Sequence, residues 1–495
     1  MSIPTMNISS PTRVLKFFQR ISPITWIILG IAVLFFILHL PLKTISPIAD
    51  AQDYLDNVLA VYQNHFNPFI EVWSYKPPLL FITTALLFQY FGPSLQTANI
   101  FIFFLSSLSL ITVYVVGQKL FTTKIAVISF LFLLFSPIFI NQSFLFQDAI
   151  PVIPLLLLCV YAYLKNHTVL YLMLCSLLVL YKEPYIIVPI YTALFELMRT
   201  KKINRSLLLL LPVVFFVAWI MINKYTFGWY LWQYNVDFIS FSIPAIFAKI
   251  QRIFLETPFS LYVLFFIYFG SIIFSTQFKL KNNTTTQKNL TYLVGFIALF
   301  RCIFIILPYT PRYLLPIFPF DYFILAWGIT QTMKPHLQWK IIVCSIAIPL
   351  FTQGAMLSSL PVEVWGEDDV FRRVELNHRI VKEIQKITTQ DVVILNQKTK
   401  SFDNPFYGYT KQKNPHIIDE YFWNCLENPK TQFQSIQNNV TYNNPDKTPV
   451  YIFIESTSNT GYACIYPPPN ILLVAQIHYT FLYATTYASL YQIIQ

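Results

Sequence analysis

Two kinds of charged side chain meet in the stretch DAQDYLDNVLAVYQNHFNPFIEVWSYKPPLL, residues 50–80, which directly follows a long apolar run. Asp50 and Asp53 supply carboxylates, and a carboxylate within hydrogen-bond reach of a hydroxyl group can take its proton. Lys76 comes just before a Pro-Pro pair, which keeps it out of helical geometry and holds it at the start of the next helix, where anions are favoured. These residue types suit proton abstraction beside a bound phosphate. The plainer alternatives are a helix cap for Asp50 and, for Lys76, a side chain that reaches the lipid headgroups.

The composition predicts which elements carry these residues. The chain has 495 residues, of which 55% are hydrophobic and only 12% are charged, whereas about 25% are charged in a typical soluble domain. We therefore expect a polytopic α-helical membrane protein. Its net charge of +11 is carried in short segments between apolar runs, as the positive-inside rule requires, so no nucleic-acid partner is indicated.

The apolar runs predict about eleven transmembrane helices, since a helix needs roughly 20 apolar residues to cross a bilayer. The predicted spans are 24–42, 96–116, 124–141, 149–164, 167–181, 184–198, 206–222, 259–277, 289–308, 313–332 and 340–358. The first run is long and lacks a small-residue cleavage site, so we expect a retained membrane anchor. The positions of the basic residues predict a cytoplasmic N-terminus and a first outer loop at 43–95.

A change of composition near residue 360 predicts two domains. The first, 1–359, is the transmembrane domain and contains the candidate chemistry. The second, 360–495, has more charged and amide side chains and shorter apolar runs, which indicates a small α/β domain. An odd number of spans puts this second domain on the outer, extracytoplasmic side of a bacterial-type plasma membrane.

Local patterns in the second domain predict its elements. Hydrophobic residues at helical spacing predict an amphipathic helix over 370–388, and DVVILN (391–396) and PVYIFIES (449–456) predict buried strands. Cys425 and Cys464 are the only cysteines of this domain. In an oxidising compartment they are expected to form a disulfide, and the alternative is two unrelated thiols.

Four motifs occur in order along the membrane half of the chain. They are Asp50 with Tyr54 and Lys76-Pro77-Pro78-Leu79, FLFQDAIPVIPLLLLCVYAYL (144–164) with Asp148, LVLYKEPY (178–185), and PRYLLPIFPFDYFILAWG (311–328). Together they resemble the motifs of GT-C glycosyltransferases, in particular the family 39-like, aminoarabinose-transferase-like and protein-mannosyltransferase-like branch. The resemblance implies a GT-C fold and an inverting hexosyl- or pentosyltransferase. Such an enzyme moves a sugar from a polyprenyl-phosphate carrier in the membrane to an acceptor lipid, glycan or protein at the outer face.

The resemblance also implies roles for the carboxylates. Asp50 is expected to be the base that takes the proton of the acceptor, and Asp53 is its rival. For Asp148 three alternatives remain, which are acceptor binding, a second base, and a helix cap in front of the sequence AIP. No set of His, Asp and Glu side chains makes a convincing metal site, although Asp50 with Asp148 could hold a divalent cation as in some relatives.

The cations of the four motifs are expected to stabilise the leaving phosphate, because its negative charge develops as the sugar departs. Lys76 and Arg312 are the first candidates, and Lys182 is a weaker third. Tyr54 and Tyr313 belong to the matched motifs and join the expected substrate-binding set.

Departures from the family pattern leave the sugar open. Asp53 stands where an Arg is expected, and Glu183 stands where the turn usually has Gly. Inside the apolar spans, Arg301 and Asp321 are predicted to form a structural ion pair, because buried charges in membranes are usually paired.

Two other classes of protein remain as alternatives. A transporter or flippase of lipid-linked glycans usually shows repeated spans and polar groups near the midplane, whereas here the polar groups gather in outer loops. A non-catalytic envelope-assembly protein would tolerate replacement of the candidate carboxylates and lysines.

Overall fold

The computed structural model describes residues 22–44, 50–67, 76–228, 230, 246–247, 249–250, 285–307, 311–356, 393–397, 416–418, 450–456, 471–481 and 484–493. All statements about the structure refer to these residues. Their helices, numbered in chain order, are α1 Pro23–His39, α2 Asp50–Gln63, α3 Leu79–Phe91, α4 Leu95–Leu120, α5 Thr123–Leu134, α6 Pro137–Gln142, α7 Ala149–Leu164, α8 Thr168–Val179, α9 Ile187–Thr200, α10 Ile203–Leu209, α11 Pro212–Phe227, α12 Thr285–Ile306, α13 Phe318–Thr332 and α14 Pro335–Met356. Short 3-10 helices cover Leu40–Thr44, Glu183–Ile186 and Pro311–Ile317.

Local sequence signals set where several helices begin. Ser22, Ser94 and Thr122 each precede a helix, and each side chain accepts a hydrogen bond from the backbone N–H three residues later. Such caps satisfy N–H groups that have no partner within the helix. The helices α4 and α7 then form the centre of the bundle, because α4 packs against α1, α5 and α7, and α7 packs against α8.

The helices follow the predicted spans. Each predicted span coincides with a helix or a pair of helices, except 259–277, which lies outside the described residues. By length and apolar composition, four helical segments are suited to cross a membrane, or up to five if the pair α10 and α11, bent by 45°, is one span. Four other apolar helices, α3, α5, α7 and α8, have 10–17 residues, and a helix this short can cross only where the bilayer thins or neighbouring residues extend it.

Proline accounts for two interruptions within predicted spans. The span 124–141 is divided between α5 and α6, and α6 begins at Pro137. The span 206–222 is divided between α10 and α11, and α11 begins at Pro212. Proline lacks the backbone N–H that would continue the helical ladder, so a helix tends to restart there.

An ion pair lies among the apolar spans, as predicted. Arg301 of α12 donates a hydrogen bond to Asp321 of α13 at 2.7 Å, and both side chains are buried. This prediction is confirmed, and the pair joins two helices that contact each other.

Five strands form one sheet in the C-terminal part of the chain. They are β1 Val393–Gln397, β2 His416–Ile418, β3 Val450–Ser456, β4 Ile471–Phe481 and β5 Ala484–Ile493, in the spatial order β2-β1-β3-β5-β4. The strand β1 is parallel to β2 and β3, whereas β5 is antiparallel to β3 and β4. The two strands predicted from DVVILN and PVYIFIES are therefore present as β1 and β3. The predicted helix over 370–388 and both outer cysteines, Cys425 and Cys464, lie outside the described residues.

Candidate active site

The carboxylate of Asp148 is the centre of a buried polar cluster. Asp148 directly precedes α7, yet its side chain makes no capping hydrogen bond, so the helix-cap alternative is wrong. The hydroxyl group of Tyr54 instead donates to Asp148 Oδ2 at 2.8 Å. Lys182 Nζ donates to Oδ1 at 3.0 Å and lies 2.9 Å from Oδ2. Asp148 is 2% exposed, so this pairing satisfies a charge that burial would otherwise make costly.

Lys76 enters the same cluster through Tyr54. Its ammonium group donates to the Tyr54 hydroxyl group and lies 3.8 Å from the centroid of the Tyr54 ring. The backbone explains why these groups meet, because the N–H of Leu79, the first residue of α3, donates to the carbonyl of Leu180 at 3.0 Å. This hydrogen bond holds the segment that begins with Lys76 against the segment that ends with Lys182.

A third cation comes from the 3-10 helix Pro311–Ile317. Arg312 is 3% exposed, and its guanidinium carbon lies 5.3 Å from the centroid of the Tyr313 ring. Lys182 Nζ lies 3.9 Å from the same ring. Tyr313 is thus flanked by two cations, which its aromatic ring attracts. Lys182, expected to be the weakest of the three cations, makes the direct contact with the carboxylate.

The three cations determine the charge state of Asp148. Burial alone would raise the pKa of Asp148, but Lys182, Lys76 and Arg312 together hold that pKa below its ordinary value. Burial likewise opposes the charge of Lys182, and the nearby carboxylate of Asp148 outweighs it and raises the pKa of Lys182. At neutral pH the cluster therefore contains an ionised carboxylate and three cations, which leaves a surplus of positive charge suited to an anionic ligand.

Glu183 is a residue of the site whose role was not predicted from its sequence position. It follows Lys182, and its Oε1 atom is buried without a hydrogen-bond partner among the described residues. Burial raises the pKa of Glu183 above its ordinary value, and the charge of Asp148 adds to this, while Lys76 and Lys182 oppose it. The available signal was its place in the sequence YKEPY, where a charged pair stands between two apolar runs.

The remaining predicted carboxylates are on α2. The helix begins at Asp50, and Asp53 lies in its first turn, but the side chains of both residues are outside the described part of the structure. Among the described residues, no group of three or more His, Cys, Asp and Glu side chains is arranged to hold a metal ion.

No family model and no curated protein matches the sequence of this chain. Comparisons of structure do find similar proteins. ArnT from Cupriavidus metallidurans bound to undecaprenyl phosphate matches with a TM-score of 0.54 and 13% identity, over 94% of this chain and 98% of that protein. The apo state of the same ArnT matches with a TM-score of 0.51 and 11% identity, over 94% and 97% of the two chains. This chain has a GT-C fold.

The fold is thus shared over nearly the full length of both proteins, although only 13% of the residues are identical. An archaeal oligosaccharyltransferase from Archaeoglobus fulgidus, in complex with Zn and sulfate, also matches, but a TM-score of 0.41 is too low to bear on this chain. Within the GT-C fold, the structure brings together Tyr54, Lys76, Asp148 and Lys182 from four separate segments of the chain.

Proposed function

We propose that this chain is a membrane glycosyltransferase that moves a sugar from a polyprenyl-phosphate carrier to an acceptor at the outer face of the membrane. The observation that carries the proposal is the group of three cations around the buried carboxylate of Asp148, in a fold shared with ArnT, a protein with bound undecaprenyl phosphate. In this proposal about eleven apolar segments cross the bilayer, some of them as short or divided helices. The N-terminus is cytoplasmic, and the domain 360–495 lies outside the cytoplasm.

The cations act on the leaving group. When the anomeric C–O bond breaks, its electron pair goes to the phosphate oxygen, and fixed positive charges stabilise that oxygen. Lys76 contacts Tyr54 and Lys182 contacts Asp148, and each lysine is a compact charge. The planar guanidinium group of Arg312 can bind two phosphate oxygens at once.

The base is assigned by the charge state of the carboxylates. A carboxylate whose pKa is lowered is a weak proton acceptor, so Asp148 suits the positioning of Lys182 and Tyr54 better than proton abstraction. Asp50 therefore remains the proposed base, because it precedes Tyr54 by four residues, and residues at this spacing lie on the same side of a helix. The acceptor hydroxyl group gives its proton to Asp50, and its oxygen bonds to the anomeric carbon. One such displacement inverts the configuration at that carbon.

The test compares lipid-linked glycans by mass spectrometry in cells that express the parent chain, Asp50→Asn or no protein. We expect a transferred product that depends on the parent chain and is absent with Asp50→Asn, although the variant reaches the membrane in normal amount. Asp53→Asn is the matched control and should retain the product. Loss with Asp53→Asn and activity with Asp50→Asn would move the base to Asp53.

Two results would replace the proposal by another function. Unchanged product with both aspartate variants and with Lys182→Ala would favour a non-catalytic assembly protein. A carrier-linked glycan that accumulates on one side of the membrane without any new glycosidic bond would favour a flippase.

A further inference from the structure

A second group of charged side chains lies at the opposite end of α7 from the candidate active site. Asp148 directly precedes this helix and Lys165 directly follows it, and 16 residues of α-helix span about 24 Å. The same end of the bundle contains the end of α9, the start of α10 and the start of α12. The proposed transferase chemistry uses none of these residues.

A buried carboxylate organises this end. Glu196 of α9 is 0% exposed and accepts a hydrogen bond from the Tyr163 hydroxyl group at 2.9 Å. Arg199 Nη2 lies 3.3 Å from Glu196 Oε2, and Arg205 Nε lies 3.1 Å from Oε1. Arg205 also donates to the side-chain oxygen of Asn166 at 2.8 Å. One carboxylate therefore fixes two guanidinium groups from two helices.

Two lysines complete the group. Lys288, in the first turn of α12, donates to the carbonyl of Leu164 at 3.4 Å and lies in the electrostatic range of Lys165 and both arginines. We call Lys165, Arg199, Arg205 and Lys288, together with Glu196, the Glu196 cluster. Its four cations face one carboxylate, which leaves a surplus of three positive charges in the described part of the chain.

Neighbouring cations repel each other, and a bound anion removes this repulsion. The side chains of Arg199 and Arg205 are 38% and 33% exposed, so both can reach a ligand while they contact Glu196. A phosphate group matches the planar donors of two arginines.

The surface beside the cluster indicates the source of that phosphate. On α9, Leu194 and Met198 are 50% and 64% exposed, and on α10, Ile203 and Leu207 are 64% and 61% exposed. Apolar side chains with this exposure, on the helices that hold the arginines, suit contact with acyl chains. We propose that the Glu196 cluster binds the headgroup phosphate of an anionic phospholipid, whose acyl chains lie along α9 and α10.

The experiment measures lipid retained by the full-length protein. The chain is purified in detergent, phosphatidylglycerol or phosphatidylcholine with the same acyl chains is added, and bound lipid is counted by native mass spectrometry. We expect one phosphatidylglycerol to be held at low concentration and phosphatidylcholine to bind much more weakly. Lys165→Gln/Lys288→Gln should weaken phosphatidylglycerol binding about tenfold, because each lysine near a lipid surface contributes to the attraction.

Matched variants distinguish a specific lipid-binding site from general attraction of the lipid to surface charge. Lys119→Gln/Lys334→Gln removes two exposed lysines from the same end of the bundle, outside the cluster, and should leave binding within about twofold, since salt screens exposed charges that do not contact the ligand. Glu196→Gln keeps the size of the side chain and should strengthen binding severalfold, because the arginines then face no competing carboxylate. Equal losses with both lysine pairs, or weaker binding with Glu196→Gln in a folded protein, would overturn the proposal. If Lys165→Gln/Lys288→Gln does not fold, the binding of Lys165→Gln alone is compared with that of Lys119→Gln. A loss with Lys165→Gln only supports the proposal, and equal losses overturn it.

Discussion

Removal of the ammonium group of Lys182 is the sharpest test of the candidate active site. In Lys182→Met, Asp148 keeps its hydrogen bond from Tyr54 but loses a cation at 2.9 Å in a place that is 2% exposed. Breaking one side of a buried ion pair costs about 3–5 kcal/mol, because the other charge remains buried without compensation. We therefore expect Lys182→Met to lower the free energy of unfolding by about 3 kcal/mol at neutral pH. Denaturant unfolding of the protein in detergent, followed by tryptophan fluorescence, measures this change.

The pH dependence of that loss has a defined sign. In the parent chain the pKa of Asp148 is lowered, so its stabilising contribution is fully present above the ordinary value of 3.8 and is lost as the pH falls from there through the lowered pKa of the folded state. Without Lys182, the largest positive charge that offsets the effect of burial is missing, so the pKa of Asp148 rises. The deficit of Lys182→Met should then be largest at neutral pH and should shrink as the pH falls and Asp148 takes up a proton.

Two further variants complete this test. Lys182→Met/Asp148→Asn removes the uncompensated charge and should recover most of the lost stability, because both partners are then neutral. Lys76→Met removes a cation that contacts Tyr54 rather than the carboxylate, and should cost no more than about 1 kcal/mol. Equal stability of Lys182→Met and the parent at neutral pH, or a double variant less stable than Lys182→Met, would refute the reasoning about this pair.

Two other predictions concern Glu183 and Gly295. Because burial raises the pKa of Glu183, the folded state holds its proton more tightly, so stability should fall as the pH rises from 4.5 through the raised pKa. Glu183→Gln should remove this slope in unfolding curves measured across pH, and an unchanged slope would contradict the assignment. An added Cβ at Gly295 would collide with the Tyr191 hydroxyl group, so Gly295→Ala should cost about 1–3 kcal/mol of unfolding free energy. Gly328→Ala meets nothing within 4 Å and should be within about 1 kcal/mol of the parent, which makes it the control in the same denaturant assay.

Hydropathy predicted most of the helices because lipid imposes a simple requirement on length and polarity. It did not predict where spans divide, since the regions 124–141 and 206–222 are both predominantly apolar on either side of their prolines. The divisions follow from single prolines, Pro137 and Pro212, whose effect depends on whether neighbouring helices supply the missing contacts. The pattern of apolar residues contains no such tertiary information.

The candidate site was predictable in its members but not in its contacts. Motif resemblance selected Asp148, Lys76, Lys182 and Tyr54, because each stands in a recognisable local sequence. The hydrogen bonds of Asp148 join residues that are 34 and 94 positions away, and no local periodicity relates positions so far apart. The contact between Lys182 and the carboxylate was unpredictable for the same reason, since it depends on the backbone hydrogen bond between Leu79, at the start of α3, and Leu180, just after α8.

The two ends of α7 have the same arrangement, a buried carboxylate surrounded by cations, but the cations differ. At each end one buried carboxylate, Asp148 or Glu196, holds cations that would otherwise repel each other, and at each end the cations outnumber it. Because a single carboxylate holds several cations, it fixes their positions without neutralising their total charge. An anion can therefore still bind with favourable energy. One lysine, Lys182, contacts the carboxylate at the Asp148 end, where charge would have to be stabilised as a bond breaks. Two arginines contact the carboxylate at the Glu196 end, where their planar donors would bind a static phosphate. Replacement of either carboxylate by its amide should therefore change anion binding at its own end and leave the other end nearly unaffected, since about 24 Å of helix separates them and the interaction of two charges weakens with distance.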